Sequence, residues 1–204
     1  MRNLFIISAI MMSISWGAIA SSQEESPQQA ILSSSYEVLD SMKKFRKQNV
    51  EDTEILGDAL LRIIEPIMDF EAIARAVMGK HYKLATPQQK SRFNPIFKKT
   101  MAKLYAKALV RFEINSVSID EKKSSLSDTK GKIATKVVAS DETIYSIVYT
   151  LRKNSHNKWR VRNIVLDGIN LGLTYRNQFY SLANRYNGDI DKVIDNWSEN
   201  LDVQ

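Results

Sequence analysis

A chain of 204 residues with a formal charge of +6 and no cysteine is excluded from the disulfide scaffolds and the thiol enzymes, so its stability has to come from packing. The positive excess favours acidic lipid surfaces or acidic protein patches, and no zinc-finger, RNP or basic-zipper pattern directs it to nucleic acid. Once a leader is set aside, roughly 180 residues remain, the size of one domain with its own core.

The first twenty residues read as an export leader. Arg2 gives a short positive start, Leu4 to Ile14 an apolar run, and Ala18-Ile19-Ala20 a small-x-small cleavage site. Ser8 and Ser13 interrupt the run and Ser15 follows it, so it is too short for a membrane span. Residues 1–20 are therefore expected to be removed, leaving 21–204 as a single domain. No second long apolar stretch follows, so the mature chain is expected to be soluble. Export of a cysteine-free chain fits a Gram-negative periplasm, and export itself argues against a nucleic-acid partner.

Two helices open with nearly the same phrase, Ser26-Pro27-Gln28-Gln29 and Thr86-Pro87-Gln88-Gln89. Each sets a hydroxyl at the N-cap, a proline with no N–H to waste, and a glutamine able to reach back to the cap. Behind the first, Ile31, Leu32, Ser35, Val38, Leu39, Met42 and Phe45 recur at helical spacing. Ile55, Leu56, Ala59, Ile63 and Ile64 predict a second helix that ends before Pro66. Asp69 is placed to cap a short third one carrying Phe70, Ile73, Ala74 and Val77, with Gly79 at its C-terminal turn. Behind Thr86 come Phe93, Ile96, Phe97, Met101, Leu104, Tyr105 and Ala108, and Pro95 is expected to kink that helix. The basic runs Lys43–Lys47 and Lys98–Lys107 fall on these helices and read first as solvated faces, with docking surfaces as the sharper alternative.

The second half changes period. Four alternating segments, near 111–119, 131–139, 143–153 and 158–167, are joined by short polar turns suited to antiparallel hairpins. Tyr145, Ile147, Tyr149 and Leu151 share one face of the third segment. In the fourth, strict alternation sends Trp159, Val161 and Val165 to one face and Ile164 and Leu166 to the other, so both faces are apolar. Helices on one side and a cavity on the other explain this; so does a central strand buried between packed layers. A helix is expected from about Thr174 to Asn187-Gly188, then a final one capped by Asp189. The order predicts an α+β fold with helices packed on a curved, four-stranded antiparallel sheet.

Chemistry is sparse. There is no Gly-x-Ser-x-Gly elbow, Walker loop or dinucleotide fingerprint. His81 and His156 stand apart without partners at metal-ligand spacing, and Asp167 and Asp189 are already occupied as a turn residue and a helix cap. No metal, cofactor or catalytic residue is expected, and an acid–base enzyme on a cone-like α+β fold is kept only by analogy of fold.

Several phrases together resemble one family. Asp69-Phe70-x-x-Ile73-Ala74-x-x-Val77-Met78-Gly79, Thr86-x-x-Gln89 with Phe93 and Phe97, and Tyr105-Ala106 are followed by Trp159-x-Val161-x-Asn163-Ile164. Then come Gly168-Ile169-Asn170-Leu171, Tyr175-Arg176-Asn177-Gln178-Phe179 and Gly188-Asp189-Ile190. This series is similar to the MlaC family, also called the toluene-tolerance auxiliary family, of periplasmic phospholipid-binding proteins. Tyr82 stands where the pattern has tryptophan, and Pro95 interrupts a helix beside the expected pocket.

The resemblance implies a soluble carrier whose apolar pocket shields the acyl chains of a phospholipid. It implies a shuttle between an outer-membrane lipoprotein complex and an inner-membrane ABC transporter complex holding an MCE-domain subunit, maintaining outer-membrane lipid asymmetry. Expected wall residues are Phe70, Ile73, Val77, Phe97, Met101, Leu104 and Tyr105 from the helices. From the sheet and its exit they are Tyr145, Ile147, Tyr149, Val161, Ile164, Leu166, Ile169 and Leu171. A charge in that wall, as in Ile169→Glu, is expected to abolish lipid retention. A periplasmic adaptor that binds proteins and carries no lipid is the alternative of a different class.

Overall fold

The computed structural model describes residues 25–48, 52–110 and 112–199; the expected leader at 1–20 lies outside them. Five helices come first: α1 (Pro27–Lys47), α2 (Thr53–Ile64), α3 (Phe70–Met78), α4 (His81–Leu84) and α5 (Pro87–Leu109). Both capping boxes form. The Gln29 N–H donates to Ser26 Oγ at 3.2 Å and the Gln89 N–H to Thr86 Oγ1 at 3.2 Å, each glutamine amide oxygen accepting in return from the cap N–H. Pro95 does not end α5, which continues through it as one helix.

Asp69 joins two elements with one carboxylate. Its Oδ1 accepts from the Ala72 N–H at 3.1 Å and caps α3, while its Oδ2 accepts from Arg162 Nε and Nη2, both at 2.9 Å. The same stretch runs beside the sheet: the Asp69 N–H donates to Val161 C=O, and the Val161 N–H to Ile67 C=O. At the other end of α3, Gly79 adopts φ 54°, and a Cβ there would lie 2.4 Å from the Tyr180 hydroxyl, so backbone and space both demand glycine.

The sheet is antiparallel throughout, in the order β1 (Ile114–Ile119), β3 (Lys130–Ala139), β4 (Ile144–Lys153), β5 (Trp159–Leu166), β6 (Ile169–Asn170). A short β2 (Ser125–Leu126) pairs with β3. Six strands thus replace the four expected. The connector read as a plain turn forms a 3₁₀ turn at Glu121–Lys123, and Ser124 then fastens it, accepting from the Ala134 N–H and donating to Asp120 C=O. The sixth strand is the return after Asp167 and Gly168, whose φ angles of 46° and 84° make the reversal.

The greasy strand has a structural answer. Tyr149 pairs with Ile164 and Ile147 with Leu166, but Leu151 pairs with Val161, so β5 gains one residue at a bulge beside Arg162 and Asn163. Directly paired residues share a face. Val161, Ile164 and Leu166 therefore all point inward with Leu151, Tyr149 and Ile147, and of the strand's apolar residues only Val165, opposite Val148, points out. Strict alternation across 159–166 is corrected on this point: one extra residue exchanges the two faces midway along the strand.

Chain order closes with α6 (Leu171–Arg185) and α7 (Ile190–Asp195). Helix α6 starts three residues before the expected Thr174 because Asn170 Oδ1 caps the Leu173 N–H at 3.0 Å. Asn187 and Gly188, at φ 52° and 82°, make the turn after it, and Asp189 caps α7 through the Lys192 N–H. Against α3 and α5 these helices bury an aromatic cluster, Phe93, Phe97, Phe179 and Trp197, none more than 1% exposed. The Phe93 ring meets Phe179 and Trp197 edge-on, both at 5.2 Å between centroids.

His81 is buried against this cluster, 5.8 Å from the Phe179 ring and 5.3 Å from Tyr180, and its Nε2 has no partner among the described residues. Burial, with a smaller push from Lys80, lowers its pKa below the ordinary 6.5. Above that value the ring is neutral folded or unfolded, and its contribution is constant. As pH falls below 6.5 the unfolded chain takes the proton first, so stability is lost until pH passes the lowered folded value. His81→Phe is expected to flatten this acid limb, read as urea midpoints at about pH 7.5 and pH 5. An unchanged limb would show that His81 is not its source.

Candidate functional site

Between the inner face of the sheet and the helices lies a cavity of about 360 Å³, inside the about 300–1,000 Å³ range of ligand sites. Helix α1 forms one wall with Ile31, Ser35, Val38 and Leu39, α5 another with Phe97, Met101, Tyr105 and Leu109, and α3 and α6 close it with Phe70, Ile73, Leu171 and Tyr175. Tyr145, Ile147, Tyr149, Ile164 and Leu166 make the floor. Bulge and hairpin register put these five side chains on one surface.

Among the described residues, no Asp, Glu, Lys, Arg or His lines the cavity. Its polar atoms are largely satisfied by one another. Ser35 Oγ donates to Ile31 C=O at 2.7 Å, Asn163 Oδ1 accepts from the Gly172 N–H at 3.1 Å, and the Tyr175 hydroxyl donates to that of Tyr105 at 3.3 Å. Burial raises the pKa of Tyr105 well above its ordinary value, and those of Tyr149 and Tyr175 as well. The phenols stay neutral, so the described residues of the wall offer neither charge nor a titrating acid or base near neutral pH. A long apolar group is the guest such walls suit.

Of the fifteen wall residues expected from sequence, eleven line this cavity: Phe70, Ile73, Phe97, Met101, Tyr105, Tyr145, Ile147, Tyr149, Ile164, Leu166 and Leu171. Four are placed elsewhere. Val77 is fully buried in the aromatic core and Leu104 packs against the same core. Val161 faces inward but lies under Ile31, Ile133 and Leu151 in a separate packed cluster. Ile169, in β6 just past the Asp167–Gly168 turn, is 59% exposed. Ile169→Glu is therefore expected to leave the cavity untouched, contrary to the expectation from sequence, and any test of the wall passes to Ile147.

Sequence reasoning missed the α1 wall. Its stripe was visible, but a stripe does not say whether it meets a core or a void. Within the basic runs Lys44 pairs with Asp40 at 2.7 Å, Lys99 with Glu54 at 2.6 Å, and Lys98 with Glu65. Among the described residues no cluster is fit to hold a metal ion, and no helix is long and apolar enough to cross a membrane.

Comparison with known proteins follows the same line. Residues 33–199 match the family model described as MlaC protein. The chain is 30% identical over 175 residues to the toluene tolerance protein ttg2D of Pseudomonas putida, covering 85% of this chain and 80% of that one. Its fold is shared with a phospholipid-binding protein from Ralstonia solanacearum, solved in complex with a phospholipid. The TM-score is 0.75 at 22% identity, over 86% of this chain and 97% of that one. A family match running from the first wall helix to the end of the described chain, with a curated relative alongside it, makes this protein a member of the MlaC family.

Proposed function

We propose that the protein is a soluble phospholipid carrier, exported to the periplasm with residues 1–20 removed and 21–204 acting as one lipid-binding domain. The observation that supports this most is the cavity of about 360 Å³ between a sheet and five helices, uncharged among the described residues. A two-tailed lipid carries roughly 30 methylenes, each costing on the order of 0.8 kcal/mol in water, so unaided passage through an aqueous gap is prohibitive. A carrier removes most of that cost by keeping the tails dry, and it needs no nucleophile, metal or cofactor. Met68 and Met101 in the wall can change rotamer around chains of different shape.

Family membership supports the wider role: lipid passed between an outer-membrane lipoprotein complex and an inner-membrane ABC transporter complex with an MCE-domain subunit, in the service of outer-membrane asymmetry. The test is extraction. Lipid-free protein incubated with vesicles of phosphatidylethanolamine and phosphatidylglycerol, one of them radiolabelled, is expected to bring label into the supernatant in proportion to protein. Label that stays with the sedimented vesicles at every protein concentration would refute the carrier reading.

A further inference from the structure

A second hollow, about 280 Å³, lies between the C-terminal half of α1 and the start of β1, lined by Leu39, Lys43, Arg46, Glu113, Ile114 and Asn115. Leu39 and Ile114 belong to the wall of the apolar cavity as well, so the two spaces adjoin. Their chemistry is opposite. Among the described residues the large space has no charge, whereas the small one gathers two cations, a carboxylate and an amide.

Arg46 is the group to explain. Its side chain is 33% exposed, its Nη2 donates to Phe112 C=O at 3.2 Å, and its Nη1 stands 3.8 Å from the Glu113 carboxylate, a loose contact. Its Nε is buried with no partner among the described residues. A buried guanidinium N–H without an acceptor is costly, and the fork geometry of arginine suits a phosphate. Lys43, one turn earlier on the same face of α1, has no carboxylate partner among the described residues, although neighbouring Lys44 is paired. Asn115 adds an amide whose Nδ2 donates to Ala139 C=O at 3.4 Å.

We infer that this hollow receives the phosphodiester of the lipid whose tails fill the apolar cavity, with Arg46 and Lys43 supplying the positive charge. The inference rests on the carrier reading. It gives that reading a polarity: the glycerophosphate end sits beside α1 and β1, the tails run inward past Leu39 and Ile114, and phospholipid is preferred over a lipid with the same tails and no phosphate. Glu113, 70% exposed at the lip, opposes an anion there, so its removal acts in the opposite direction to removal of the cations.

The experiment compares uptake of dioleoyl-phosphatidylglycerol and of dioleoylglycerol from vesicles by lipid-free protein, read by native mass spectrometry. Lys43→Gln with Arg46→Gln is expected to lower the preference for the phospholipid by at least about tenfold, with diacylglycerol uptake unchanged. Arg46→Lys keeps part of the preference, and Glu113→Gln raises it. A preference that the double variant leaves intact, or a Glu113→Gln variant that lowers it, overturns the assignment. If both lipids fall together in the double variant, the two cations serve only the fold and the assignment is likewise overturned. Wild-type protein that takes up neither lipid refutes the carrier reading itself. Inorganic phosphate separates the sources: binding of free phosphate to lipid-free protein, lost in the double variant while the lipid preference persists, makes this a free-phosphate site and contradicts the headgroup.

Discussion

Ile147→Glu is expected to empty the cavity while leaving the fold in place. Ile147 lies midway along β4, paired with Thr135 on one side and Leu166 on the other, and its side chain is part of the cavity floor. A carboxylate introduced there has no cation to pair with among the described residues of the wall. In the lipid-free protein water can enter and solvate it, but a bound acyl chain would strip that water away. Burying a charge or an unpaired polar group costs several kcal/mol, so retention of lipid should fall by at least about 100-fold. Desolvation raises the pKa of a carboxyl, so lipid retention by the variant should recover as pH is lowered and the introduced group takes up a proton. Ile169→Glu is the matched control, the same chemical change at a position 59% exposed. Circular dichroism and co-purifying lipid, measured on both variants, check the result. Full lipid in the Ile147→Glu protein would mean that the cavity floor is not where the tails lie.

Phe179→Ala should do the reverse, weakening the fold and sparing the site. The Phe179 ring is fully buried, 5.2 Å from Phe93, 6.0 Å from Trp197 and 5.8 Å from His81. None of these four residues lines the cavity. Truncating such a ring removes its transfer energy and leaves a void, at a cost of about 3–5 kcal/mol. For a domain of this length that corresponds to a melting temperature lower by on the order of 10 °C. Lipid per folded molecule should be unchanged below the transition. A loss of lipid in proportion to the loss of stability would show that the aromatic core and the cavity are one cooperative unit. The division matters because Phe97, Met101, Phe70 and Tyr175 belong to both the core and the wall.

What could be read from the sequence follows the range of the signal. Ser26, Thr86, Asp69 and Asp189 each act on backbone N–H groups within three residues, and their caps were legible because that chemistry is local. The period of the strands was equally local. The bulge beside Arg162 was not, because it depends on pairing with β4 and on the Asp69 carboxylate that holds Arg162 from the far side of the chain. Alternation sets Val161 and Ile164, both expected in the wall, on opposite faces; the bulge turns both inward, and Ile31 with Ile133 then covers Val161. Ile169 was misplaced for a related reason: a two-residue strand after a left-handed turn has no period to read. The contribution of α1 to the cavity was hidden because a stripe of Ile31, Val38 and Leu39 looks the same whether it meets side chains or space. The basic run on α1 looked uniform in sequence, and only the fold distinguishes Lys44, paired with Asp40, from Arg46 beside the second hollow.

Whether the cavity holds the tails of a phospholipid is decided by native mass spectrometry of the purified mature protein. The expected result is a mass excess equal to a phospholipid, released on denaturation, identified in the organic extract, and missing from the Ile147→Glu variant. A protein that is empty as purified and stays empty after exposure to phospholipid vesicles would contradict it.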